Sequence, residues 1–220
     1  MLKQYSVFSF FSDFGIKKRL KIGIFTKRQA FFVRPKRNLR YIREKFCDFM
    51  ENNRLKSIED SLANGGKDAV LAVLEQIREI GVPKLLPALV KVYKTCGDDD
   101  IKMTVFKLLC DASQPGLVDE MAAAIAAETD ANVKQMLVTS CWYSKIDYLP
   151  KLELFIDLVF DSPFELAFEA FTVIENRQGS ITDERRTELI SYIEKRLAAE
   201  GDFNESLTSG LVEIVKNYDE

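Results

Sequence analysis

Residues 85–116 read LLPALVKVYKTCGDDDIKMTVFKLLCDASQPG, and the pattern returns as LVDEMAAAIAAETDANVKQMLVTSCWYSKID over 117–147 and YLPKLELFIDLVFDSPFELAFEAFTVIENRQG over 148–179. The three stretches are 32, 31 and 32 residues long. A fixed period of this size marks a repeat architecture in which each copy is one supersecondary unit. In the first half of each copy the apolar residues fall in columns: Leu86, Val118 and Leu149; Leu89, Met121 and Leu152; Tyr93, Ile125 and Ile156. Their spacing of i, i+3 and i+7 places them on one stripe of an α-helix. An Asp follows in every copy (Asp98, Asp130, Asp161), then a second apolar set, Ile101, Val133 and Phe164 with Val105, Leu137 and Phe168. An Asp there is expected to accept from the free N–H groups of a second helix and to suit the positive end of its dipole. Each copy is therefore a helical hairpin.

The columns continue in both directions. Backwards lie Leu55, Ile58 and Leu62, then Val70, Leu74 and Ile77, with Lys67 in the Asp column and Asp68 beside it. Forwards, after an insertion of about ten residues, come Ile190, Ile193 and Leu197, then Leu207, Leu211 and Ile214. Ser180 or Thr182 is the expected cap of the first of these helices, and Asp202 with Glu205 forms a capping-box variant for the second. Pro163 suits a first helical turn, Pro87 and Pro150 take equivalent places near the start of their helices, and Gly65-Gly66 belongs at a helix end. The expectation is an all-α chain of five helix pairs. A hairpin alone exposes one apolar face, so the copies must stack to bury it.

The segments LLPALVKVYKTCGDDDIKM and YLPKLELFIDLVFDSPFEL resemble HEAT-type repeats, with a Leu-Leu-Pro first helix, an Asp-bearing turn and a Val-Arg or Val-Lys start to the second helix. Ile101-Lys102 and Val133-Lys134 fit that start, whereas Phe164-Glu165 departs from it and interrupts any basic ladder. The resemblance covers residues 53–218. It implies a right-handed α-solenoid of about five stacked antiparallel helix pairs, whose second helices line a concave face that grips a protein or an extended segment. It carries architecture far better than activity, because such repeats serve unrelated adaptors, carriers and a few enzymes.

Composition and charge narrow the function classes. The 220 residues are 47% hydrophobic and 30% charged, as in a folded globular chain. There is no histidine, so Ser-His-Asp and Cys-His catalysis and His-ligated metal sites are excluded. No apolar run approaches the ~18 residues of a membrane-spanning helix. The near-neutral total of −3 conceals two opposite parts: residues 1–49 hold 13 Lys and Arg against 3 Asp and Glu, and residues 50–220 hold 18 against 31. The first part also carries 9 of the 16 Phe and lacks apolar periodicity. Asp13 breaks its one apolar stretch, which argues against a secretory signal. Two readings stay open for residues 1–49: a disordered basic arm for nucleic acid or anionic lipid, or upstream text with the true start at Met50.

Candidate chemistry is sparse. Cys47, Cys96, Cys110 and Cys141 form no C-x-x-C pair, and reduced thiols in a cytoplasmic protein are expected. Cys110 and Cys141 have no basic neighbours to activate them and are expected in the core. Asp98-Asp99-Asp100 lacks the ligand spacing and central Gly of a calcium loop and is better explained as cap and dipole partners. No metal, cofactor or catalytic constellation is expected. Trp142 aligns with apolar Cys110 and Val173, so burial is expected for it, while Tyr143 reaches solvent. Columns pointing away from the buried stripe hold Lys102, Lys134 and Glu165, and beside them Phe106, Val138 and Glu169. These with Tyr143 are the candidates for lining a groove; the competing reading is an ordinary solvated face.

The expected function is a non-enzymatic protein-binding scaffold, whose net −13 over residues 50–220 favours basic partner segments. The alternative is a nucleic-acid-acting protein of the alkylbase glycosylase type. For that, Trp142 and Asp147 supply residue types and the basic arm supplies phosphate contacts. The acidity of residues 50–220 argues against nucleic acid binding there.

Overall fold

A computed structural model describes residues 36–114, 116–177, 180–199 and 204–218. The chain divides into two units, Met1–Phe46 and Cys47–Glu220. Of the first, only the helical backbone from Lys36 is described, so the expectations for residues 1–35 lie outside the described residues. All regular structure among the described residues is helical: ten α-helices and two short 3-10 turns. In chain order these are α1 (Lys36–Asn64), α2 (Lys67–Ile80), α3 (Leu86–Thr95), α4 (Asp99–Cys110), α5 (Leu117–Ala127), α6 (Ala131–Tyr143), α7 (Leu152–Asp161), α8 (Phe164–Glu175), α9 (Asp183–Leu197) and α10 (Glu205–Lys216). The 3-10 turns, Pro83–Leu85 and Leu149–Lys151, lead into α3 and α7. Helix α1 runs without interruption through Met50, where the sequence pattern places a boundary.

Helix starts follow from the residues that precede them. Asp98 Oδ1 accepts from the N–H groups of Asp100 (3.0 Å) and Ile101 (3.3 Å) and opens α4. Asp130 Oδ1 does the same for Asn132 (3.0 Å) and Val133 (3.1 Å) and opens α6. Each such cap contributes about 1 kcal/mol. Thr182 Oγ1 caps α9 through the N–H of Arg185 at 3.3 Å. The third expected Asp cap is a correction: Asp161 ends α7, and Pro163 takes the cap position of α8 with no side-chain bond. Asn204 occupies the corresponding place before α10, again without a side-chain bond to the helix N–H groups, and Asp202 lies outside the described residues. Two glycines are required where they stand. A Cβ on Gly65 would lie 2.4 Å from the Ser61 carbonyl oxygen, and Gly81 closes α2 at φ 106°, a left-handed conformation that L side chains rarely adopt.

Packing follows the pairs. Helices α3 and α4, α5 and α6, α7 and α8, and α9 and α10 touch as hairpins. The second members also touch in succession, α2 to α4 to α6 to α8 to α10, while α3 meets α5 and α7 meets α9. Leu89, Val105, Ile125, Leu137, Leu152 and Ile156 lie in the core with no more than trace exposure, which is the burial the columns predict. At the far end the columns need adjustment: Leu189 and Val215 are fully buried, and Leu197 is 41% exposed.

Polar ties link each pair to the next. Lys94 Nζ reaches Glu128 at 2.7 Å, Arg185 grips Glu153 through both guanidinium ends at 2.6 and 2.7 Å, and Tyr192 donates to Asp157 at 2.8 Å. Lys67 pairs with Asp98 at 2.9 Å, and Lys151 with Asp119 at 2.8 Å. The first three ties join residues 32 to 35 apart, one repeat length. The exposed ion pairs among these contribute little each, roughly 0–1 kcal/mol, whereas Arg185–Glu153 and Tyr192–Asp157 are partly buried.

Candidate partner-binding face

The helices that carry the candidate residues are α4, α6 and α8, which lie side by side. Their inner sides are set by the same offsets from the cap. Ile101, Val105, Leu108 and Leu109 in α4 correspond to Val133, Leu137, Ser140 and Cys141 in α6, and to Leu166, Ala170, Val173 and Ile174 in α8; all are buried. Counting α8 from Pro163 turns Phe164 and Phe168 outward. They are 53% and 51% exposed, stacked on each other with centroids 6.2 Å apart, rather than in the core stripe that counting from Asp161 assigns them. The signal that finds them is Pro163 itself, whose ring fixes a non-helical entry two residues later than the aspartate column.

Across α4, α6 and α8 a chain of contacts joins four side chains. The Tyr143 ring stacks on Trp142 at 3.7 Å and 26°, and Phe106 meets Tyr143 edge-on at 6.0 Å. Trp142 Nε1 donates to Glu169 Oε2 at 2.8 Å. Trp142 is therefore half-buried at the edge of the core, a correction to the burial its column suggests; it has a polar partner because an indole N–H leaving water needs an acceptor. Tyr143 is 54% exposed. Of the other predicted residues, Lys102 is half-buried with Nζ 5.9 Å from the Tyr93 ring of α3. Lys134 and Glu165 stand in the first turns of α6 and α8, outside this contact chain. Val138 is fully buried and lines no surface, which corrects its place among the outward columns. Met103, one turn before Phe106 on α4, is 51% exposed and joins the face.

Electrostatics separate this face from the groups a catalyst would use. Two of the three aspartates at the start of α4 are engaged: Asp98 caps the helix, and both Asp98 and Asp100 pair with Lys67. The Lys67 ammonium holds the Asp98 carboxyl below its ordinary range. Among the described residues no group of three or more His, Cys, Asp or Glu is placed to hold a metal ion. Burial pushes the Cys141 thiol up to about 12 and Cys110 up to about 11, the opposite of what an active nucleophile requires. Asp147 Oδ1 is occupied as acceptor for the Leu149 N–H at 2.9 Å. A separate cleft of about 610 Å³ opens between α1, α3 and the start of α4. Its charged lining, Glu59 and Lys91, is exposed and of opposite sign. Among the described residues no helix is long and apolar enough to cross a membrane. The sequence matches no known protein family and no characterised protein.

Proposed function

We propose that residues 50–220 form a HEAT-like, right-handed α-solenoid acting as a non-enzymatic, cytoplasmic protein-binding scaffold, with the outward side of α4, α6 and α8 as its gripping face. The observation that carries this reading is the group of large apolar side chains left in solvent on consecutive second helices: Met103, Tyr143, Phe164 and Phe168, each more than half exposed. Scattered apolar residues need no explanation, but a grouping on neighbouring elements marks an interaction site. The succession α2–α4–α6–α8–α10 supports the solenoid reading, since nearest-neighbour contact is how repeat arrays bury their hairpins. The excess of acid over residues 50–220 favours a partner with basic segments.

The test is affinity capture from nuclease-treated native lysate with three versions of the full chain: unaltered, Met103→Ser/Phe168→Ser, and Leu197→Ser. The third removes an exposed apolar side chain on α9, away from the face. The reading expects a protein retained by the unaltered and Leu197→Ser chains and lost from the double variant. Identical retention by all three would overturn it.

A further inference from the structure

We infer that the Tyr143–Trp142–Glu169 cluster is a subsite for the guanidinium of an arginine in an extended segment of the partner. This rests on the reading of the face as a binding surface and specifies the chemistry it selects. Two features meet there. The first is an aromatic platform, Tyr143 stacked on Trp142 at 3.7 Å and braced by Phe106, with over half of Tyr143 open to solvent. The second is a carboxylate held at the rim of that platform by the indole, Trp142 Nε1 to Glu169 Oε2 at 2.8 Å. That bond uses one carboxylate oxygen and leaves Oε1 as an acceptor. A ring face attracts a cation, and a fixed carboxylate beside it adds charge and direction.

The geometry favours arginine over lysine. A planar guanidinium lies flat on an aromatic ring while its N–H edge reaches a carboxylate, and it sheds water more readily than an ammonium. The α8 side of the cluster has the matching sign, with Glu165, Glu169 and Glu175 and no basic residue, while the basic residues of the face, Lys102, Lys107 and Lys134, stand on α4 and α6. The fold already uses this pairing elsewhere, with the Arg177 guanidinium 4.0 Å from the Tyr218 ring centroid. The flanking apolar side chains, Met103 on one side and Phe168 on the other, would then take the aliphatic parts of the same segment.

Trp142 is the single tryptophan of the chain, so it reports on its own site. The probe is an unstructured Gly-Ser peptide bearing two arginines, titrated into the full chain at near-physiological salt while indole emission is followed. Matched peptides carry lysine or citrulline in place of arginine. The expected result is a saturable change with the arginine peptide, a several-fold weaker one with lysine, and none with citrulline. Glu169→Gln keeps an acceptor for the indole N–H and removes only the charge; Tyr143→Ala removes an exposed ring. Each is expected to weaken the arginine peptide roughly fivefold or more while leaving the unfolding midpoint near that of the unaltered chain. Equal responses to arginine and lysine that are insensitive to both substitutions would overturn the subsite, as would no saturable response. In either of those cases the lysate capture still decides the apolar face separately.

Discussion

Lys94 Nζ lies 2.7 Å from Glu128 Oε1, so the end of α3 is tied to the end of α5 in the next hairpin. The same carboxylate accepts from the backbone N–H groups of Thr129 and Asp130, both at 2.8 Å, so it organises the turn into α6 as well. Lys94 first, and then those N–H groups, lower the Glu128 carboxyl to about 2. Because the folded value lies below the ordinary one, the stabilisation is complete above about pH 4.5 and is lost as pH falls toward 2. Carboxyl-resolved NMR titration is expected to show Glu128 titrating well below the ordinary glutamate range. In Glu128→Gln, the acid limb of the unfolding curve becomes shallower between these limits.

Capping separates the three aspartates that the sequence places in one column. Asp98→Ala and Asp130→Ala are each expected to lower stability by about 1 kcal/mol, since each removes two bonds to helix N–H groups. Asp161→Ala removes only a surface ion pair with Arg196 and is expected to cost less than half as much. Urea unfolding followed by circular dichroism measures all three. Equal losses would return Asp161 to a capping role.

The shared column of the first helices is the core. Leu89, Met121 and Leu152 are each at most 1% exposed, so truncation to Ala is expected to cost about 2–5 kcal/mol at any of them. Leu197→Ala, in the neighbouring column of Tyr93, Ile125 and Ile156 by sequence but 41% exposed, is expected to fall within about 1 kcal/mol of the unaltered chain.

Thiol chemistry provides a ruler of burial. Cys141 is 2% exposed, its Sγ donates to the Leu137 carbonyl at 3.2 Å, and burial raises it to about 12. Alkylation at neutral pH, read by mass spectrometry, is expected to modify half-buried Cys96 well before Cys141. Early modification of Cys141 would mean that the α6 core opens.

Gly81→Ala is expected to destabilise although its Cβ would meet nothing closer than 3.7 Å, because the loss comes from φ 106° alone. A cost of about 1 kcal/mol or more in thermal unfolding is expected, with Gly97→Ala, in open space and at ordinary φ, as the neutral comparison.

Apolar spacing made the hairpins legible, since a stripe at i, i+3 and i+7 depends only on helix geometry and burial. Leu89, Met121 and Leu152 obey it without exception. Register failed where a column held a residue type rather than a role. Asp161 looks like Asp98 and Asp130, yet proline at 163 defers the start of α8 and exposes Phe164 and Phe168. The candidate face was legible only in part. Phe106, Tyr143 and Glu169 were found from columns, but their meeting through Trp142 depends on how neighbouring helices sit against each other, which a single repeat does not encode. Helix α1 shows the converse: its mean hydropathy is low and its apolar periodicity weak, so its extent back to Lys36 carries little signal.

Polar ties among the described residues are short in sequence: Lys84 to Glu51 spans 33 residues, and Tyr218 Oη to the Ile174 carbonyl spans 44. Ties of this span keep loop closure cheap, so neighbouring hairpins can assemble from local pieces. In the proposed solenoid, tension applied across Cys47–Glu220 would load the outer hairpins first, and this unit would yield as a sequence of small steps, with the middle hairpins still folded after the outer ones have opened.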